Sequence, residues 1–182
     1  MKWRTLIFSL VALSFLATLF AEDAPAKSTL GRNNFGAEVL ESFTGGGLIK
    51  LHGTTIQNNL HIDGSLIAEN ATIHSLSVMG EANLTRSTID EASVIGSLQA
   101  VHSTFTKNLT VQSQKMVFTG CKLQGITVLK NAGFKGKQVI ELRQGTIVNG
   151  PIRFESGKGE VILHPGSQAL GPIEGGKTIK KH

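Results

Sequence analysis

The chain has 182 residues, the size of one ordinary domain. Its 18 basic and 13 acidic side chains give a formal charge of +5, and 40% hydrophobic residues exclude a disordered chain. With 21 Gly, one Trp and no Tyr, the composition argues against a helical bundle.

Residues 1–21 read MKWRTLIFSLVALSFLATLFA. Lys2 and Arg4 precede an uncharged, mostly apolar run from Leu6 to Phe20, and Ala21 offers a small residue before Glu22 and Asp23. This is the layout of a secretory signal peptide, so the chain is expected to be exported to the periplasm or cell envelope, with cleavage near Ala21. Leu19 fits the small-residue cleavage pattern poorly, and the alternative is a retained anchor. The run is shorter than the ~20 apolar residues of a full span, which favours cleavage. No Cys follows it, so a bacterial lipoprotein anchor is excluded. Without this segment the six remaining aromatic residues are all Phe, and the charge falls to +3. That charge is uneven, with a net of −4 over residues 22–110 and +7 over residues 111–182. Residues 22–42 read as a linker or an N-terminal cap.

The strongest signal is an internal repeat. Residues 60–75, 76–91 and 92–107 (LHIDGSLIAENATIHS, LSVMGEANLTRSTIDE and ASVIGSLQAVHSTFTK) align at a period of 16 without a gap. The apolar columns are Leu60/Leu76/Ala92, Ile62/Val78/Val94, Leu66/Ala82/Leu98, Ala68/Leu84/Ala100 and Ile73/Ile89/Phe105. A small-residue column holds Ala71, Ser87 and Ser103, and a glycine column holds Gly64, Gly80 and Gly96. Upstream by 17, Phe43, Gly45, Gly47, Ile49, Leu51, Thr54 and Ile56 fall into the same columns. Downstream, single-residue insertions bring in Leu109 and Val111, then Met116, Phe118, Cys121 and Leu123, before Ile126 and Val128 restart the first side.

Within each copy the apolar residues form three i, i+2 pairs, the period of a strand with one buried face. Three tiny strands joined by short corners make a triangular coil. Coils stacked at about 4.8 Å turn every column into an interior ladder. Gly47, Gly64, Gly80 and Gly96 are the expected corner glycines, because Gly reaches positive φ without a Cβ clash. The expected ladder residues are Leu60, Ile62, Ile73, Leu76, Val78, Ile89, Val94, Phe105, Leu109, Val111 and Leu123. Cys121 joins the small-residue column and reads as a buried hydrophobe. A lone Cys cannot form an intrachain disulfide.

Residues 140–152 (IELRQGTIVNGPI) and 161–173 (VILHPGSQALGPI) form a looser repeat at an offset of 21. An excursion is expected at 155–159, an irregular coil at 129–139 and a basic tail at 174–182. The expected fold class is all-β: a single right-handed parallel β-helix over residues 43–173, of about seven to eight coils. A left-handed hexapeptide helix needs apolar residues every six positions, and Ile62, Ala68, His74 and Gly80 do not supply them. A β-sandwich would show longer strands and no fixed period.

The stretch L-x-I-x-G-x-L-x-A-x-x-A-x-I, with its copies from Leu76 and Ala92, resembles the coil of the bactofilins, here in an exported variant. The resemblance covers residues 43–128 and extends more weakly over 140–173. It implies a bacterial polymer-forming β-helix with a scaffolding role, and it brings no catalytic residues.

Little in the chain points to chemistry. His52, His61, His74, His102, His164 and His182 share no column, so no metal site is expected. There is no G-x-S-x-G, H-E-x-x-H or phosphate loop, and the acidic residues are spread singly. Gly45 to Gly47 reads as a coil entrance. The expectation is therefore a non-enzyme without cofactor or metal that scaffolds a cell-envelope assembly. Its partner would be itself, through the solenoid ends, or another envelope protein. The basic C-terminal half would add weak contact with anionic polymer or lipid, and nucleic acid is not expected. Opposite charges along the chain favour head-to-tail contact, whereas the bactofilin resemblance implies contacts between like ends. The alternative is a secreted β-helix that binds or cleaves polysaccharide. Without Tyr or Trp it would lack the usual stacking platforms.

Overall fold

Along the sides of the middle turns buried residues alternate with more exposed ones, breaking step at the corners, so one face of each strand packs inward and the other meets solvent. The computed structural model describes residues 27–181, and the expected signal segment lies outside the described residues. Those described form an all-β, parallel solenoid of about nine turns.

The first turns comprise β1 (Lys27–Phe35), β2 (Val39–Leu40), β3 (Phe43–His52) and β4 (Thr55–Glu69). The regular middle consists of β5 (Thr72–Thr85), β6 (Thr88–Val101), β7 (Thr104–Gln112), β8 (Lys115–Thr119) and β9 (Lys122–Val128). The last turns hold β10 (Gln138–Arg143), β11 (Ile147–Val148), β12 (Ile152–Phe154), β13 (Gly159–Leu163), β14 (Gln168–Ala169), β15 (Ile173–Glu174) and β16 (Gly176–Lys180).

Register converts the sequence columns into stacked rungs. On the first side Phe43, Leu60, Leu76, Ala92, Leu109, Ile126, Ile152 and Ile173 pair in turn. On the second, Leu51, Ala68, Leu84, Ala100, Phe118, Leu142 and Leu163 do the same. On the third, Leu40, Ile56, Ile73, Ile89, Phe105, Leu123, Val148 and Ala169 pair. The three ladders meet in one interior. Like packs on like because each ladder position sees the same space one rung later, and burial of these side chains supplies the main driving force.

The structure departs from the sequence expectations in four places. First, the coil is not made of three tiny strands. β4 has 15 residues and β5 and β6 have 14, each running unbroken through the corner glycine, because ladder pairing continues across Gly64, Gly80 and Gly96. Second, the solenoid begins before residue 43. From Lys27 the segment expected to be a linker or cap is a strand in parallel register with β3. Third, the expected basic tail contains β16, which pairs with β13. These additions at both ends bring the turn count to about nine. Fourth, of the irregular coil expected at 129–139, only 129–137 lacks strand, since β10 begins at Gln138. The buried Gln138 amide closes the base of that loop by donating to the Ser113 and Leu129 carbonyls, at 3.1 and 2.8 Å.

The insertions before Leu60 and Leu109 share one place, while that before Met116 falls at the glycine corner between the first and second sides. Register shifts fall between Ile56 and Asn59, between Ile89 and Ala92, and between Phe105 and Asn108. All three lie at the corner between the third side and the next first side. A bulge there takes up the extra residue without turning the apolar face outward.

Candidate functional site

Every expected ladder residue is buried: Leu60, Ile62, Ile73, Leu76, Val78, Ile89, Val94, Phe105, Leu109, Val111 and Leu123. Gly47, Gly64, Gly80 and Gly96 occupy one corner with φ between 98° and 138°. A Cβ at Gly64, Gly80 or Gly96 would lie well inside 3.0 Å of the carbonyl oxygen of the glycine one turn earlier. Both the dihedral and the close stacking therefore demand Gly.

A second corner was not legible as such. Gly53, Asn70, Arg86, His102, Gly120 and Gln144 all have positive φ, between 48° and 69°. Asn and His tolerate this conformation, but Arg and Gln rarely adopt it, so the column as a whole gave little signal. The small column just after this corner is more than a space filler. Ser87 Oγ accepts the Ala71 N–H at 3.1 Å and donates to the Thr85 carbonyl at 2.9 Å. Ser103 Oγ accepts the Ser87 N–H at 3.2 Å, and Thr146 Oγ1 accepts the Cys121 N–H at 3.1 Å. Cys121 is buried among carbonyls, with Sγ 3.3 Å from that of Ala100. Burial pushes its thiol up from the ordinary range, against the flow of nearby backbone hydrogen bonds.

The polar residues outside also line up between turns. Thr106 donates to Asp90 Oδ1 at 2.7 Å, and His74 Nδ1 lies 3.0 Å from Asp90 Oδ2. The hydrogen bond from Thr106, then that from His74, holds the Asp90 carboxyl below its usual range. These are the residue types of a catalytic triad, but the order is wrong for one. The hydroxyl contacts the carboxylate and not the imidazole, so no base activates it. Lys107 pairs with Glu91 at 2.7 Å, and Arg86 pairs with Glu69. Among the described residues no group of three His, Cys, Asp or Glu could hold a metal.

The basic half gathers its cations around two nearly buried carboxylates. Glu141, on the outer face of β10, meets Lys115 Nζ at 2.9 Å and the Arg143 guanidinium, with His164 Nε2 at 3.7 Å. Burial pushes its pKa up, but the bonds from Lys115 and Arg143 outweigh burial and hold it below the ordinary range. Glu160 on β13 meets Lys137 Nζ at 2.6 Å and Lys177 Nζ at 3.4 Å.

The two ends are open. Among the described residues β1 pairs on one side only, with β3, while β14, β15 and β16 each pair with a single neighbour. At the first end Leu30 is 89% exposed, and Thr29 and Asn33 pair with Gly45 and Ile49 of the next turn. Thr29 Oγ1 and Asn33 Nδ2 are buried there without a hydrogen-bond partner among the described residues. At the other end Leu170 is 62% exposed and Ser167 Oγ is likewise buried and unpartnered.

No family model, curated protein or solved structure matches the chain.

Proposed function

We propose that this chain is an exported structural protein of the bacterial cell envelope that associates with copies of itself through the ends of its solenoid. The observation that carries this reading is the pair of open ends. Among the described residues, β1 at one end, and β14, β15 and β16 at the other, leave backbone N–H and C=O groups without strand partners. Such edges pair with further strands unless something covers them. Thr29 Oγ1 and Asn33 Nδ2 add two buried groups at the β1 end that a neighbouring strand would satisfy. The net charge of −4 over residues 22–110 and +7 over 111–182 favours contact between unlike ends over contact between like ends. A long interior ladder with ion-paired outer rows suits a rod more than a pocket. Electron microscopy of the protein in low and high salt tests the reading. Rods several times the length of one solenoid, shortening as salt rises, are expected. Monomers under all conditions would overturn it.

A further inference from the structure

We infer that the recess bounded by Lys137, Lys158 and Lys177 is a binding site for a phosphate group. This goes beyond the scaffolding reading and does not depend on it.

The recess has a volume of about 520 Å³ and lies beside the last turns. Register brings its three lysines together from distant stretches of chain. Gln138 pairs with Gly159, and Gly159 with Gly176. Lys137 and Lys158, each preceding a paired residue, thus stand one rung apart, about 4.8 Å along the solenoid. Lys177 pairs with Glu160 one residue further on.

Like charges on adjacent rungs repel, and one carboxylate does not balance three ammonium groups. Glu160 is nearly buried, with 13% of its side chain exposed, while those of Lys137 and Lys177 are 60% and 65% exposed. It therefore acts as a floor that holds both amines in place. Each ammonium has three N–H donors, and Glu160 engages only part of them. Among the described residues Lys158 makes no ion pair, unlike Lys137 and Lys177. The site keeps a surplus of two positive charges, which a phosphate dianion matches.

The walls suit such a guest. Gly157, Gly159, Gly175 and Gly176 line the recess and present backbone in place of side chains. Gly157 and Gly175 both have φ of 67°, a conformation that ordinary residues rarely adopt. The glycines leave room for a phosphate beside the amines, and the lysines supply its donors, since the Gly157 and Gly159 N–H groups already donate to the Phe154 and Gly175 carbonyls. Its source is either a soluble phosphate compound or the headgroup of an anionic lipid.

The test is an amide NMR titration of the isotope-labelled protein, first with inorganic phosphate and then with vesicles of phosphatidic acid in phosphatidylcholine. Saturable shifts of the Gly157 and Gly175 amides are expected. Shifts with phosphate identify a soluble ligand, and shifts with vesicles alone identify the headgroup. The double substitution Lys158→Gln and Lys177→Gln keeps the Lys137–Glu160 pair and should weaken binding by about tenfold or more. Lys122→Gln with Lys130→Gln removes the same charge elsewhere and should leave binding unchanged. Equal weakening by the two double variants would reduce the effect to general electrostatics and overturn the proposal. So would the absence of saturable shifts with both probes.

Discussion

The hydroxyl of Ser103 accepts the backbone N–H of Ser87 at 3.2 Å, one turn away and fully inside the solenoid. Ser103 Oγ in turn lies 3.0 Å from the Val101 carbonyl, to which it donates. The second corner turns the backbone out of ladder register, and this side-chain column supplies the partner that the strand pairing there does not. Ser103→Ala would strand a buried N–H. A loss of about 1–3 kcal/mol is expected, read from urea unfolding. A variant as stable as the parent would mean that water replaces the hydroxyl.

The corner glycines make a sharper prediction. Gly80 has φ of 138°, and a Cβ there would press on the Gly64 carbonyl oxygen. Gly80→Ala combines backbone strain with that clash and should lose about 2–4 kcal/mol. Gly36 has no atom within 4 Å of its would-be Cβ, so Gly36→Ala should change stability little. Paired thermal melts compare the two, and similar melting temperatures would count against the stacked-corner account.

Neighbouring positions on β5 face opposite ways. Val78 is 1% exposed and Met79 is 52% exposed. Val78→Asp buries a charge without a partner and should abolish the cooperative melt of the middle turns. Met79→Asp adds the same charge in water and should stay within about 0.5 kcal/mol of the parent. Circular dichroism melts of both variants measure the contrast.

Glu141 links stability to pH. Its folded pKa lies below the ordinary value of 4.5, so folding favours the charged form. The stability it adds is present in full above that ordinary value and is lost as pH falls through the lower, folded value. Glu141→Gln should lower stability by about 1–2 kcal/mol at pH 7. The gap between variant and parent should shrink as pH falls below about 4, the ordinary carboxylate range. Urea titrations at several pH values follow it, and a gap independent of pH would show that the carboxylate charge is not what matters.

How much of this was written in the chain itself depends on the kind of interaction. The 16-residue period, the three apolar pairs and the recurring glycine were sufficient to determine the ladders, because each turn repeats the environment of the last. Leu60, Leu76 and Ala92 must stack once the period is seen. The ends escaped the same logic. Lys27–Phe35 and Gly176–Lys180 put polar residues such as Asn33 at ladder positions, so their hydrophobic pattern is weak although their backbone pairs. The corner at Asn70, Arg86, His102 and Gln144 was hidden because its demand is on φ and it is met by mixed residue types, two of which do not advertise it.

The polar arrangements needed the tertiary structure entirely. His74 and Asp90, or Lys137 and Glu160, are separated by a turn or more of chain and meet only because parallel stacking sets them on adjacent rungs. Local sequence determines which residues face outward; the register between turns decides which of those become neighbours. Bulges after Ile56, Ile89 and Phe105 and the 129–137 loop alter that register. The sequence by itself therefore determined a repeating, hydrophobic interior, since burial acts on every apolar residue alike. Only the three-dimensional register decided where its charges converge, since an ion pair or a lysine cluster depends on a few ångströms that no periodicity specifies.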